Sequence, residues 1–140
     1  MIRAIELTDR DAWAPLFVAY GEFYETSFTP EVVESTWLRL VTADSGIDGL
    51  VAEIDGAVVG FAHYRSHPDT FSTGRDWFLD DLFVDPAVRG AGTATALIEH
   101  LKELADGTLR WITAESNTTA QSVYDKLATK TTWVTYEVRI

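Results

Sequence analysis

The chain has 140 residues, of which 46% are hydrophobic and 24% charged, and this composition predicts a single globular domain over residues 1–140. It contains no cysteine, which excludes disulfides, thiolate metal sites and a cysteine nucleophile. The formal net charge of −11 argues against binding to nucleic acid or an anionic membrane, since both need a basic surface, and favours a cationic small molecule or peptide. No leader-like N-terminus and no run of about 18 apolar residues is present, so we expect a soluble, cytoplasmic protein.

The first part of the chain predicts one strand followed by two helices. Ile2–Glu6 alternates weakly and is expected to form the strand. Thr8, with Asp11 three residues later, is the expected capping pair of a helix that runs to about Gly21 or Tyr24. Pro30 is expected to open the second helix, because proline is favoured at the first helical position.

Short apolar runs then predict the middle of a sheet. Leu50–Ile54 and Ala57–Tyr64 flank Asp55-Gly56, a dipeptide typical of two-residue β-hairpin turns. Ser66–Asp76 is polar and is expected to be a loop. Asp76–Val84 follows as a strand apolar enough to be central.

The C-terminal part predicts alternating helices and strands. Helices are expected over Gly90–Asp106, with Gly107 as the stop, and over Asn117–Ala128; strands are expected over Leu109–Ala114 and Thr132–Val138. The two strands beside the Gly90 helix should be parallel neighbours joined by a right-handed crossover, giving a mixed α/β sheet. All five tryptophans (Trp13, Trp37, Trp77, Trp111 and Trp133) are expected in the core, and His63 and His67 are expected to be structural rather than metal ligands.

The most informative segment is DDLFVDPAVRGAGTATALIEHL, residues Asp80–Leu101. A strand ends there, a tight loop with two glycines follows, and a helix begins. The first N–H groups of a helix are unpaired and lie at the positive end of its dipole, so this arrangement favours a phosphate or pyrophosphate.

Three other interpretations of this loop are possible from its residues. A P-loop is excluded because no lysine follows either glycine. A dinucleotide fingerprint is disfavoured, since Thr95 occupies the place of the third glycine and Asp85–Arg89 separates the strand from the motif. A structural glycine turn that opens a core helix is the remaining alternative.

The segment resembles motif A of the GCN5-related N-acetyltransferases, the GNAT family. Asp81-Leu82-Phe83-Val84-Asp85-Pro86 followed by Arg89-Gly90-Ala91-Gly92 is similar to the family's DLxVxP strand and its [QR]-x-x-G-x-[GA] loop. Asn117, Ala120 and Tyr124 are similar to its N-x-x-A-x-x-x-Y helix. The acidic pair Asp80-Asp81 looks nearest to the diamine/spermidine-acetyltransferase-like branch. The resemblance implies a GNAT fold: a mixed, mostly antiparallel sheet of six to seven strands flanked by about four helices.

The resemblance also implies acetyl-CoA as co-substrate, with no metal. Main-chain N–H groups from Gly90 to Thr95 would hold the pyrophosphate, and the edge of the strand at Leu82, Phe83 and Val84 would pair with the pantetheine amides. A main-chain N–H of this strand would also stabilise the oxyanion formed during transfer. The cofactor-binding residues expected on these grounds are Leu82, Phe83, Val84, Arg89, Gly90, Ala91, Gly92, Thr93, Ala94, Thr95, Asn117, Ala120 and Tyr124.

Two residues are expected to be catalytic. Tyr124 stands where the family has its general acid, since a phenol stays protonated at neutral pH. Asp80 stands where the polyamine-like branch has a catalytic glutamate, and it would accept the amine proton through water or bind the amine; Asp81 is expected to brace the strand. Glu22 and Tyr24, near the first interhelical loop, are expected to bind substrate with Asp80, because acidic and aromatic groups attract a cation.

These expectations describe an N-acetyltransferase that moves acetyl directly from acetyl-CoA to a primary amine of a small molecule, either a polyamine or an amino compound. The alternative is a noncatalytic acetyl-CoA-binding or sensing domain.

Two departures from the family bear on assembly. Leu127–Lys130 contains no glycine, which the family often has just after the tyrosine helix, and a single terminal strand is predicted where the family commonly has two. A partner subunit would complete the open edge of the sheet, so we expect a homodimer.

Overall fold

The computed structural model describes all residues, 1–140, and places one five-stranded sheet at the centre of the fold. The strands lie in sequence order: β1 (Ile2–Ala4), β2 (Asp48–Ile54), β3 (Ala57–Pro68), β4 (Arg75–Val84) and β5 (Gly107–Arg110). Neighbouring strands are antiparallel except β4 and β5, which are parallel. The predicted mixed α/β architecture is therefore confirmed, but with five strands instead of six or seven.

Four α-helices flank the sheet: α1 (Arg10–Phe23), α2 (Pro30–Val41), α3 (Thr93–Leu104) and α4 (Thr118–Tyr124). The first pair covers one face, where Trp13, Phe17 and Trp37 pack on Phe61 and Phe83. The second pair covers the other face, where Leu97, Ile98 and Leu101 of α3 pack on Leu50, Leu79 and Val84. None of the helices combines the length and the apolar character needed to cross a bilayer.

The start of α1 differs from the expected Thr8–Asp11 capping pair. Leu7–Asp9 forms a 3₁₀ turn, and the Asp9 carboxylate accepts the Glu6 backbone N–H at 2.7 Å. Asp9 also accepts two hydrogen bonds from the Arg3 guanidinium, at 2.8 and 2.9 Å. The salt-bridged carboxylate one residue after Thr8 thus tethers this helix start to β1. At α2 the expectation is confirmed, since Thr29 accepts the Val32 N–H directly before Pro30.

The hairpin and the central strand follow the sequence closely. Asp55 and Gly56 connect β2 to β3 and have φ values of 50° and 80°, as a turn with two left-handed residues requires. β4 lies between β3 and β5, in the predicted central position. The polar loop is shorter than expected, because cross-strand pairing continues to Pro68 and Arg75.

The C-terminal elements differ most from expectation. α3 begins at Thr93 and not at Gly90, because Gly90 and Gly92 have φ values of 91° and 77° and cannot continue a right-handed helix. Gly107 begins β5 and the helix ends before Ala105. β5 ends at Arg110 and α4 at Tyr124, so both are shorter than predicted. The predicted strand over Thr132–Val138 is wrong, since no strand pairs with this segment, and Trp133 is 84% exposed.

Candidate active site

The outer edge of β4 is open over its second half. β3 pairs with the whole of β4, from Pro68 opposite Arg75 to Gly60 opposite Val84. β5 pairs with β4 only from Arg75 to Phe78, so the edge from Leu79 to Val84 has no strand beside it. The unpaired N–H and C=O groups of such an edge are available to an extended ligand. Leu82, Phe83 and Val84, the residues expected to pair with a pantetheine arm, all lie on this open edge.

A β-bulge occurs where the edge opens. His63 of β3 pairs with Asp81 and Tyr64 pairs with Leu79, which leaves Asp80 as the extra residue of β4. Bulges bend a strand and re-aim its side chains, and they are frequent beside active sites. Asp80 and Asp81 are adjacent in the sequence, but because of the bulge their carboxylates have different hydrogen-bond partners.

The glycine loop leads into the uncapped N-terminus of α3. Gly92 is the residue before the helix, and no side chain caps the first turn. A Cβ placed on Gly90 or Gly92 would meet no atom within 4 Å. Glycine is therefore favoured at these positions by the positive φ angles and not by close packing. The first backbone N–H groups of α3 are therefore free to bind an anion, with the helix dipole in their favour.

Arg89 joins this loop to β4. Its Nε donates to the Val84 carbonyl oxygen at 3.3 Å, and its Cζ lies 5.4 Å from the centre of the Phe83 ring. The guanidinium is thereby held between the open edge and the glycine loop, within the range of a cation–π contact. Its remaining N–H groups make no hydrogen bond within the chain and are available to a phosphate.

α4 carries the two polar residues expected beside the co-substrate. The Asn117 side-chain oxygen accepts the Ala120 N–H at 3.2 Å and caps the helix. Tyr124 ends the helix, packs against the core cluster that includes Val84, and contacts Trp111 edge to face at 5.5 Å between ring centres. Burial raises the pKa of Tyr124, and the nearby phenol of Tyr24 raises it further, so Tyr124 stays protonated at neutral pH.

A chain of four hydrogen-bonded side chains lies on the α1 side of β4. The Trp13 indole donates to His63 Nε2 at 3.0 Å, and His63 Nδ1 lies 2.9 Å from Asp81 Oδ2. Because Nε2 accepts the indole proton, the imidazole is neutral and its own proton is on Nδ1, from which it donates to Asp81. Tyr20 donates its hydroxyl to the other Asp81 oxygen at 2.7 Å.

Burial of Asp81 opposes its ionisation, but the hydrogen bonds from His63 and Tyr20 outweigh it and lower the pKa of the carboxyl. Burial and the Asp81 charge raise the pKa of Tyr20. Asp81 is thus a charged anchor that joins β4 to α1 and to the fully buried His63. The expected bracing role of Asp81 and the structural role of His63 match these contacts.

Asp80 has a different partner. Its carboxylate accepts Arg65 Nε at 2.9 and 3.2 Å, and the Arg65 guanidinium lies over the Phe78 ring. The Asp80 and Asp81 side chains are about equally exposed, at 27% and 26%, so the two carboxylates differ in their partners and not in their access to water. Sequence reasoning missed Arg65 because it meets Asp80 only through the strand register. Of the residues expected to bind the acceptor, Glu22 and Tyr24 lie exposed at the end of α1.

Tyr20 links the acceptor residues to the open edge. Its ring contacts Tyr24 edge to face at 5.1 Å and Phe83 at 6.1 Å, while its hydroxyl binds Asp81. The end of α1 and the open edge of β4 therefore meet around Tyr20. The signal for Tyr20 in the sequence was its place among acidic and aromatic residues before the interhelical loop.

Comparison with known proteins identifies the family of this chain. The model of the acetyltransferase (GNAT) family matches residues 11–128. The D-amino-acid N-acetyltransferase HPA3 of Saccharomyces cerevisiae is 34% identical over 98% of this chain and 89% of its own length. The crystal structure of a ribosomal-protein-alanine N-acetyltransferase from Brucella melitensis biovar Abortus superposes with a TM-score of 0.83 and 25% identity, covering 100% of this chain and 99% of the other.

A third similarity concerns the fold alone. The aminoglycoside N-acetyltransferase AAC(6')-Iy in complex with CoA has a TM-score of 0.83 at 22% identity, covering 100% of this chain and 93% of that one. The family match over most of the chain agrees with the open β4 edge and the glycine loop. This chain belongs to the GNAT family and is an acetyl-CoA-dependent N-acetyltransferase.

Proposed function

We propose that the chain transfers the acetyl group of acetyl-CoA directly to a primary amine of a small molecule, with Tyr124 as general acid. The observation that supports this proposal is that Tyr124 is a protonated, partly buried phenol that contacts Trp111 and packs against the core cluster that includes Val84. Direct transfer is the natural route because the chain has no cysteine to hold the acetyl group.

The free groups around the glycine loop suit acetyl-CoA. The N–H groups from Gly90 to Thr95, together with Arg89, would hold the pyrophosphate. The open edge at Leu82, Phe83 and Val84 would pair with the pantetheine amides, and Asn117 and Ala120 would border the thiol arm. Acetyl-CoA supplies an activated thioester, and the chain supplies alignment and proton transfer.

Proton transfer must begin at the amine. An alkylammonium of pKa about 10.4 is neutral in only about one molecule in 2,500 at pH 7, which costs about 4.6 kcal/mol. We assign the accepting group to Asp80, acting through water, because Asp81 already accepts from His63 and Tyr20, whereas Asp80 is held only by the exposed Arg65. The amine nitrogen then bonds to the acetyl carbon, the carbon–sulfur bond breaks, and Tyr124 donates its proton to the departing thiolate.

The acceptor pocket would be formed by Glu22, Tyr24 and Asp80 beside Tyr20 and Asp81. These groups attract a cation through charge and through aromatic faces. The HPA3 relative is named for D-amino acids, and the acidic pair Asp80-Asp81 suits a polyamine, so both amino compounds and polyamines belong in the first substrate panel. We further propose that the enzyme acts as a homodimer.

The decisive experiment replaces Tyr124 by Phe. Turnover is read by a thiol reagent that detects CoA, and a cysteine-free enzyme gives no background in this assay. For Tyr124→Phe we expect kcat to fall by roughly 100-fold, the lower range for loss of a general acid, while calorimetry shows unchanged acetyl-CoA affinity. Tyr64→Phe is the matched control, since burial also raises the pKa of Tyr64 but this residue stacks on Trp77. A noncatalytic acetyl-CoA sensor would release no CoA with any amine of the panel.

A further inference from the structure

Two arginines flank an aromatic ring on the α1 side of the sheet. Phe78 of β4 is paired with Arg65 of β3 on one side and with Arg110 of β5 on the other. Paired residues of neighbouring strands lie on the same face of a sheet. That face is the α1 side, because His63 bonds to Trp13 of α1 and Arg65 follows two residues later on a strand whose side chains alternate. Both arginines are about half exposed, at 48% and 47%, so ligands can reach them.

Most of the hydrogen-bond donors of these two guanidinium groups are free. Arg65 donates through Nε to the Asp80 carboxylate, and its guanidinium makes no other hydrogen bond. Arg110 donates through one terminal nitrogen to Asp76. A guanidinium carries five N–H donors in one plane, so both side chains keep donors for a further carboxylate. The chain has 22 acidic and 11 basic residues, and a site for a purely cationic acceptor gains nothing from two arginines near its base.

Arg65 is also held in a fixed orientation. Its Nε lies 2.9 and 3.2 Å from the two Asp80 oxygens, and its Cζ lies 4.7 Å from the centre of the Phe78 ring. A side chain fixed in this way loses little conformational freedom when a ligand binds, and such preorganisation increases affinity. The free terminal amino groups of Arg65 therefore lie beside the Asp80 carboxylate, so a positive and a negative binding group are adjacent.

This pair of charges lies near the residues proposed to hold the acceptor. Burial and the neighbouring Asp81 are the larger causes that raise the pKa of Tyr20, and the charge of Asp80 raises it further. In salt solution charges act on one another over only about 10 Å, so Asp80 is close to the end of α1, where Tyr20 contacts Tyr24. An acceptor held between the end of α1 and Asp80 is therefore also close to Arg65.

An α-amino acid matches two adjacent groups of opposite charge. Its ammonium and its carboxylate are attached to one carbon atom, so Asp80 and Arg65 can meet both charges together. The ammonium lies near Asp80, the group that we assign to accept the amine proton, and the carboxylate accepts parallel hydrogen bonds from the terminal groups of Arg65. A polyamine fits less well, because its second ammonium would approach the guanidinium and be repelled.

We propose that Arg65 binds the carboxylate of the acceptor, so that the acceptor is a free amino acid and not a polyamine. This inference rests on the proposed function and specifies its substrate class. Arg110 lies two strands away from Arg65, at roughly 10 Å, which is twice the spacing of neighbouring strands. It therefore raises the local positive potential without binding the same carboxylate.

Acceptors that differ only in the carboxylate test this preference. Alanine, leucine and phenylalanine, each in both enantiomers, are compared with ethylamine, 3-methylbutylamine and 2-phenylethylamine, and spermidine serves as the polyamine. For at least one pair we expect kcat/KM, read from CoA release, to favour the amino acid by roughly 30-fold, in the range for hydrogen bonds to a charged group. A parent enzyme that prefers spermidine or the simple amines to every amino acid overturns the inference and leaves the proposed function intact.

Arg65→Gln removes the charge from the proposed carboxylate site. The ratio of kcat/KM between an amino acid and its matched amine should fall roughly 30-fold, mainly through KM, and a displacement of Asp80 cancels because both substrates need it. Arg65→Lys keeps the positive charge and should keep part of the preference. The control is Arg75→Gln, since Arg75 belongs to the same hairpin but donates to Ser66, and its ratio should not change. An unchanged ratio in Arg65→Gln overturns the inference.

Binding without turnover separates this inference from the proposed function. Calorimetry titrates each amino acid into the CoA-loaded protein, for the parent chain and for Arg65→Gln. Binding that is roughly 30-fold weaker in the variant supports the carboxylate site even when no acceptor of the panel releases CoA from acetyl-CoA, and in that case the proposed function alone fails. Equal binding to both proteins, or no binding to the parent, overturns the inference alone.

Discussion

Replacing Asp81 by Asn should destabilise the fold far more than the same change at its neighbour Asp80. The Asp81 carboxylate accepts from the fully buried His63 at 2.9 Å and from Tyr20 at 2.7 Å, and its own side chain is 26% exposed. Hydrogen bonds to a charged group contribute about 1.5–3 kcal/mol, against about 0.5–1.5 for neutral ones. Asparagine can keep both contacts in neutral form if its amide oxygen accepts from His63 and its NH2 donates to the Tyr20 hydroxyl, so we expect a loss of about 1 kcal/mol per bond, or about 2 kcal/mol in the free energy of unfolding.

Asp80→Asn is the matched control. Asp80 pairs with an exposed arginine, and ion pairs at the surface contribute about 0–1 kcal/mol. Urea denaturation at pH 7, followed by tryptophan fluorescence and extrapolated to water, measures both variants against the parent chain. Equal losses at the two positions would refute the assignment of Asp81 as the anchor between β4 and α1.

The pH dependence gives a second check on the same residue. The pKa of Asp81 is lower in the folded chain than the ordinary value of 3.8, so the unfolded state binds its proton first as pH falls. Its contribution to stability is complete above the unfolded pKa and is lost as pH falls through the folded pKa. The gap between parent and Asp81→Asn should therefore be constant from pH 7 to about pH 5 and shrink below about pH 4. A gap that stays constant down to pH 3 would contradict the charged state of Asp81.

Two further predictions concern the proposed active site. Gly92→Ala places a Cβ at φ 77°, so we expect a stability loss of about 1–2 kcal/mol and roughly tenfold weaker acetyl-CoA binding by calorimetry. The control is Gly46→Ala, where φ is 98° and a Cβ also has open space around it. This variant should lose similar stability and keep its affinity for acetyl-CoA. Asp80→Ala should lower the rate of amine acetylation most at neutral pH and regain it as pH rises towards the amine pKa, where the substrate deprotonates by itself. A dependence of the rate on pH that is parallel to that of the parent enzyme would show that Asp80 takes no part in proton transfer.

The elements predicted best were those set by local backbone chemistry. Asp55-Gly56 fixed the β2–β3 hairpin because both residues adopt positive φ, which few other dipeptides do. The strand, glycine loop and helix from Asp81 to Leu104 were recognisable because an apolar run, two closely spaced glycines and a helical apolar period follow one another there, and the expected parallel pairing of the flanking strands is confirmed. The start of α3 was missed by three residues, since the sequence does not show that Gly90 and Gly92 are both left-handed.

The predictions failed where a partner strand decides the structure. Thr132–Val138 has the residues of a strand, but a strand exists only when another one pairs with it, and in the single chain none does. Trp133 was expected in the core for its size and is exposed for the same reason. Arg65 could not be assigned to Asp80, because their contact depends on a register that the bulge displaces by one residue.

The bulge at Asp80 accounts for the two central features of the proposed site together. Side chains alternate along a strand, so without an extra residue Asp81 would share the α3-side face with Leu79, which belongs to that core. The bulge reverses the alternation, which brings Asp81 to His63 and Tyr20 and places Phe83 in the α1–α2 core. Pairing of β4 with β5 ends at Phe78, two residues before the bulge, so the edge opens where the alternation changes. The anchor to α1 and the opening proposed for the pantetheine arm thus depend on one inserted residue, and its deletion would displace every later side chain of β4.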